Sequence, residues 1–287
     1  MEILSDKITK GIIFAGCSFT WGSGLWYYSK LPTIIKQNGQ SFDTRKMNLA
    51  HIEYMKSVRF PRLVANHFNT FEIVNSNNGG SNETMLNWWK NYFINGSRVL
   101  GYTSIEGINP HIDYSEISYF VIQLTQWHRD NFTLNYDNQL FKKELFGWIG
   151  ENELLNPILM KWLGENYQSL DDFINDEISK NLIKVKEFLQ HLESFNIKVI
   201  LLSWPPEWVD LIEKDAWLKD RYIEFNYKNN NYKCLDTLMN ENKELMIKYD
   251  FENLKNPPDD NHPSIGCHKL IAEHIINKII NNENNND

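Results

Sequence analysis

The stretch GIIFAGCSFTWGSG, Gly11–Gly24, decides how the chain folds. Its first six residues, GIIFAG, form a short and nearly continuous apolar run, the pattern of a strand buried on both faces. The run closes on Gly-Cys-Ser, and small residues at a strand end present the next side chain at the open edge of a sheet. That side chain is Ser18. Two readings of it stand together. A nucleophile needs exposure, a base within hydrogen-bond reach and backbone N–H groups for an oxyanion. A helix cap needs only a turn, and serine is common there.

Three more runs share the character of the first: FEIVN (Phe71–Asn75), ISYFVIQL (Ile117–Leu124) and IKVILLSW (Ile197–Trp204). Helical patterns separate them, at Val58–Phe68, Glu83–Phe93 and Leu170–Phe195, and a last helix begins at Pro263-Ser264. Strand–helix alternation of this kind predicts a three-layer α/β/α domain around a parallel sheet. The acidic DDFINDE, Asp171–Glu177, suits the first turns of a helix, where the dipole favours carboxylates. Two connections are too long for a minimal alternation, Leu25–Lys56 and Asp130–Gln168, the second rich in Trp, Phe and Leu and expected to form extra helices. Both lie near the carboxyl ends of strands, where open α/β sheets bind ligands. With no repeat or linker, the chain reads as one domain over residues 1–280 carrying these insertions, then a disordered tail at 281–287.

Composition narrows the function. The 287 residues are 42% hydrophobic and 14% aromatic with 10 Trp, enough for a large core, and the net charge of −8 excludes a general nucleic-acid binder. Cys17, Cys234 and Cys267 are too few and too scattered for a disulfide framework or a zinc site. His51, His67, His111, His191, His268 and His274 have no partners at metal-ligand spacing. No metal and no cofactor are therefore expected. The N-terminal apolar run is too short for a signal peptide, and nothing approaches the roughly 20 apolar residues of a membrane span. The expectation is a soluble cytoplasmic protein with no membrane partner.

Two other stretches carry chemistry. PPDDNHPS, Pro257–Ser264, sets Asp259 three residues before His262 in a rigid turn. A carboxylate so placed can fold back onto the ring's Nδ1–H and leave Nε2 free to take a proton from a hydroxyl. Asp260 is a rival for that part, and a solvated acidic turn with an incidental histidine is the plain alternative. NSNNGGSNE, Asn75–Glu83, puts glycines at a strand-to-helix turn, where bare backbone can approach a ligand and offer N–H groups. It is equally an ordinary turn in which Ser81 or Asn82 caps the next helix.

In this order the three stretches resemble the blocks of the SGNH (GDSL-like) hydrolase family. GCSFTWG is similar to the first block, with Ser18 at the nucleophile position. NSNNGGSN is similar to the second, with Gly80 (or Gly79) as an oxyanion donor. DDNH matches the Asp-x-x-His that closes the triad with Asp259 and His262. The resemblance runs from Gly11 to about Ile280. It implies a flavodoxin-like parallel sheet of about five strands and acyl transfer to water through an acyl-Ser18 intermediate. The oxyanion would be held by the Ser18 and Gly80 N–H groups with Gln126, and Trp21, Asn82, Trp127 and Arg129 would line the substrate side.

Two positions depart from the family pattern. Cys17 stands where the family has an Asp, and is read as a small buried residue rather than a rival nucleophile. The third block, Gly-x-Asn-Asp, is replaced by IQLTQWHRD (Ile122–Asp130), in which Gln126 offers an amide while Arg129 would favour an anionic substrate group. The expected partner is a small-molecule or glycan ester, with O-deacetylation as the leading reaction. An acyltransferase with the same triad and a binding module that has lost turnover are the alternatives.

Overall fold

The computed structural model describes residues 10–29, 49–76, 81–93, 114–136, 139–144, 155–248 and 260–285. From β1 (Gly11–Gly16) the chain enters the one-turn helix α1 (Ser18–Trp21), and α2 (Leu49–Val58) and α3 (Phe60–His67) lead to β2 (Glu72–Ser76). Helix α4 (Asn82–Phe93) precedes β3 (Ile117–Leu124), which is followed by a hairpin of β4 (Asn131–Tyr136) and β5 (Gln139–Glu144). Then come α5 (Leu155–Asn166), α6 (Leu170–Glu193) and β6 (Lys198–Ser203). Beyond β6 lie α7 (Val209–Lys214), α8 (Ala216–Arg221), a short hairpin of β7 (Phe225–Tyr227) and β8 (Asn230–Tyr232), and α9 (Leu235–Glu241). The pair β9 (Met246–Ile247) and β10 (Asp260–Pro263) precedes the long α10 (Ile265–Asn284).

Among the described residues the central sheet has four strands in the order β2-β1-β3-β6, all parallel. Alternate residues of each strand feed opposite faces, as the pleat requires. Ile12 and Phe14 of β1, with Val121 and Ile200, pack under Phe60 and Val64 of α3 and Ile271 and Ile275 of α10. Ile13 and Ala15, with Phe120, Ile122 and Leu201, pack under Trp89 of α4 and Val185 and Leu189 of α6. Both faces are covered, which is why these strands read as unbroken apolar runs. Trp89 meets Phe120 edge-on at 5.6 Å, over the middle of the sheet.

Among the described residues the sheet holds four of the about five strands expected. At the place of a fifth, Tyr222 makes a single parallel bridge to Leu201, and the Ile223 N–H donates to the Leu201 carbonyl at 2.8 Å. The apolar run there is too short to extend the pairing, and the chain turns into the β7–β8 hairpin. The long insertion after β3 was expected to form extra helices: among its described residues β4 and β5 form an antiparallel hairpin and α5 is helical. Phe132 of the hairpin packs with Leu159, Leu163 and Phe173 as a satellite cluster.

Helix α6 starts where the acidic run predicts, with the Ser169 Oγ accepting from the Asp172 N–H at 3.1 Å. It stops at Glu193 because Asn196 takes φ 63 to turn the chain into β6. The tail expectation is corrected for Asn281–Asn284, which continue α10. The reason is local: Glu283 accepts from the Tyr119 hydroxyl at 2.5 Å and from Lys198 Nζ at 2.9 Å, tying the last turn to β3 and β6. Among the described residues no helix is long and apolar enough to cross a membrane.

Candidate active site

Strand β1 delivers the chain to the carboxyl edge of the sheet, and the next four residues turn sharply. Cys17 is extended (φ −105, ψ −157) and occupies the N-cap of α1 without a side-chain capping bond. Ser18 opens the helix. Gly22 ends it in the left-handed region (φ 87), its N–H returning to the Ser18 carbonyl at 3.0 Å. An L side chain at Gly22 would be strained there, and its Cβ would lie 2.9 Å from Leu25. The cap reading of Ser18 therefore does not describe α1. Its hydroxyl points elsewhere: Ser18 Oγ lies 2.9 Å from Nε2 of His262.

His262 arrives from the other end of the chain. It sits in β10, which pairs antiparallel with β9, and Ser264 then caps α10 by accepting from the Cys267 N–H at 3.4 Å. The ring of Phe19 packs edge-on against His262 at 5.1 Å and lies tilted against Trp204 at 4.1 Å. Trp204 directly follows β6 and is tied to β3, its N–H donating to the Leu124 carbonyl at 3.1 Å. One aromatic wall thus joins the ends of β1, β3 and β6 beside the serine–histidine pair.

Beneath this corner is a buried polar cluster whose central member the motifs do not reveal. The Thr20 hydroxyl donates to Gln123 Oε1 at 2.6 Å, and Gln123 Nε2 donates to Cys17 Sγ at 3.5 Å. All three side chains are buried, at 1% exposure or less. Gln123 is legible as the one amide inside the apolar run ISYFVIQL, and it fixes the turn that carries Ser18 to the neighbouring strand. Burial pushes the Cys17 thiol up, against smaller lowering contributions from the Phe19 N–H and the Arg129 charge. The thiol stays neutral, so Cys17 is no competitor to Ser18 as nucleophile.

Gly16 is needed at this corner. A Cβ there would sit 1.9 Å from Thr20 Oγ1 and 3.3 Å from the Gln123 Cβ. Thr20 is fully buried and cannot retreat without losing its bond. Gly16→Ala is expected to cost about 1–3 kcal/mol by overpacking and to misplace Ser18. Urea unfolding read beside ester turnover checks both effects, and wild-type stability would contradict this account of the corner.

The stretch after β3 forms a second clamp. Asn82, expected to touch substrate, does something else: its amide is 1% exposed and spans the backbone of Thr125, donating to the carbonyl at 3.1 Å and accepting from the N–H at 2.9 Å. Trp208 Nε1 donates to the same carbonyl at 2.7 Å. Both groups hold the end of β3 in place. Ser81 caps α4 by accepting from the Thr84 N–H at 3.0 Å, and Asp130 accepts from the Glu83 N–H at 2.7 Å. Trp127, another expected substrate contact, is half-buried and packs into the apolar clusters under the sheet and the hairpin, because its turn faces α6.

Gln126 is half-buried at the start of the 3-10 turn Trp127–Arg129. Arg129, at the end of that turn, lies over the Trp204 ring, 5.3 Å from its centre. Gly80, Asp259 and the side chain of Trp21 lie outside the described residues, and Asp260 is described by its backbone in β10. Among the described residues no three of His, Cys, Asp and Glu come together as a metal site.

No family model and no curated protein matches the chain. Among solved structures it is similar to a protein assigned to the G-D-S-L lipolytic family from Desulfitobacterium hafniense, at 11% identity over 94% of this chain and 99% of that one, TM-score 0.38. It is also similar to a family two carbohydrate esterase from Clostridium thermocellum, solved with cellohexaose, at 14% identity over 96% and 65% of the two chains, TM-score 0.42. A third is an acetyl xylan esterase from the rumen bacterium Butyrivibrio proteoclasticus, at 11% identity over 96% and 65%, TM-score 0.43.

Proposed function

We propose that this chain is a serine-dependent ester hydrolase that removes a short acyl group, acetyl first, from a carbohydrate or other small ester. The observation that carries this reading is the 2.9 Å contact between Ser18 Oγ and His262 Nε2 at the carboxyl edge of the sheet. A histidine nitrogen at that distance is placed to accept the hydroxyl proton as the oxygen attacks a carbonyl carbon. The reaction then runs in two halves. Ser18 Oγ bonds to the acyl carbon while its proton passes to His262. The ester C–O bond breaks, and the alcohol leaves with that proton. Water repeats the sequence on the acyl-serine, giving the free acid and restoring Ser18.

Supporting parts are proposed with it. Ser18 opens a helical turn, and the first N–H groups of a turn have no acceptor within it, so the Ser18 N–H is available to a developing oxyanion. Asp259 would orient the imidazole, and Gly80 and Gln126 would complete the oxyanion site. Trp204, half-buried and backed by the buried ring of Phe19, gives an apolar surface against which a sugar ring or acyl chain can lie.

The test is pre-steady-state hydrolysis of 4-nitrophenyl acetate, followed by acetate release from acetylated mono- and oligosaccharides. A burst approaching one nitrophenol per chain, and acetate release that needs Ser18, are the expected results. Transfer of the acetyl group to an added sugar in preference to water would move the assignment to an acyltransferase. A folded protein with neither activity would leave a binding module.

A further inference from the structure

Arg59, Arg62 and Arg221 each face a glutamate: Arg59 and Arg62 meet Glu72, and Arg221 holds Glu193 through two nitrogens. Arg129 alone among the described arginines has no carboxylate in ion-pair reach, although acidic residues outnumber basic ones by 37 to 29. Arg129 is half-buried, and among the described residues its buried Nη1 has no hydrogen-bond partner. A guanidinium donor taken out of water without an acceptor is costly, and the cation–π contact with Trp204 uses its charge and consumes no N–H.

The position of this cation matters as much as its state. Trp204, which it overlies, packs on Phe19, and Phe19 packs on His262. The Arg129 charge also reaches the thiol of Cys17, the residue before Ser18. The guanidinium therefore lies at the same corner of the sheet edge, separated from His262 by two packed rings, Trp204 and Phe19.

We propose that Arg129 binds a carboxylate of the substrate, so that the esters this site prefers are those of carboxylate-bearing alcohols, acylated sugar acids among them. The proposal rests on the hydrolase reading for the reaction and on Arg129 alone for the anion. The in-plane donors of a guanidinium match a carboxylate in a way a lysine ammonium does not.

The experiment compares 3-carboxy-4-nitrophenyl acetate with 4-nitrophenyl acetate, in wild type, Arg129→Met and Arg129→Lys. The ratio of kcat/KM for the charged over the neutral ester is expected to fall about tenfold or more in Arg129→Met, as for loss of a charge-assisted bond, and to recover in part in Arg129→Lys. A ratio unchanged in Arg129→Met would overturn the proposal. In parallel, benzoate is titrated into Ser18→Ala with and without Arg129→Met. Weaker binding without Arg129 supports the anion site even if wild type hydrolyses neither ester, an outcome that would sink only the hydrolase reading. Binding indifferent to Arg129, or equal affinity for benzenesulfonate, would overturn the carboxylate assignment.

Discussion

His262→Ala and Ser18→Ala are each expected to lower kcat/KM for a short-chain ester by roughly 10⁴-fold or more, the scale of losing one member of a coupled nucleophile–base pair. The reason is geometric. A serine hydroxyl is a poor nucleophile until a base removes its proton, and the base within reach here is His262 Nε2, 2.9 Å away. Because the two act as one unit, the double variant should lose no more than either single variant. His262 is half-buried against Phe19, so its removal leaves a small surface defect rather than a core cavity. Urea midpoints near wild type would exclude unfolding as the cause. A fall of less than tenfold in either variant would show that the contact is structural.

The second large effect is a pair of opposed acid responses. His268 is fully buried, its Nδ1 accepting from the Phe60 N–H at 3.2 Å. Burial, with smaller pushes from the Arg59 and His262 charges, lowers it to about 3. A histidine depressed in the fold contributes stability that is whole above its ordinary value near 6.5 and drains away as pH falls toward 3. Linkage sets the rate at about 1.4 kcal/mol per pH unit, or about 5 kcal/mol over the whole window.

Asp130 works the other way. Burial raises it to about 6, partly offset by the Glu83 N–H, so its contribution weakens as pH climbs from about 4 to 6, by about 3 kcal/mol. Between pH 4 and 6 the two slopes cancel in the wild type, and single substitutions should separate them. His268→Asn keeps an acceptor for the Phe60 N–H but cannot titrate. Relative to wild type it should gain about 3 kcal/mol on going from pH 6 to pH 4, while Asp130→Asn should lose about as much. Urea titrations at the two pH values decide it. Relative stabilities that do not move with pH would refute both assignments.

Periodicity carries much of this fold. The runs at Gly11–Gly16 and Ile117–Leu124 are strands with those same bounds, because residues buried on both sheet faces leave no polar position to blur the ends. The apolar runs mark four strands, and where the resemblance implies a fifth there is one backbone bridge at Tyr222, which needs no pattern of its own. The β4–β5 hairpin was missed for a related reason: a Trp- and Phe-rich insertion signals burial, and burial alone does not choose between helix and strand.

At the site, Ser18 and His262 could be picked out because nucleophile and base chemistry restrict residue type. Asn82 misled, since an amide beside a glycine turn looks available until its two bonds to Thr125 are seen. The part played by Gln123 depends on strand order, which places β3 beside β1, and no local motif encodes that.

The most direct test of the central claim, that Ser18 is an activated nucleophile, is labelling with a fluorophosphonate followed by peptide mass mapping. The account predicts one adduct, on Ser18, abolished in Ser18→Ala and strongly slowed in His262→Ala. A folded protein that takes no label, or takes it on another residue, would contradict it.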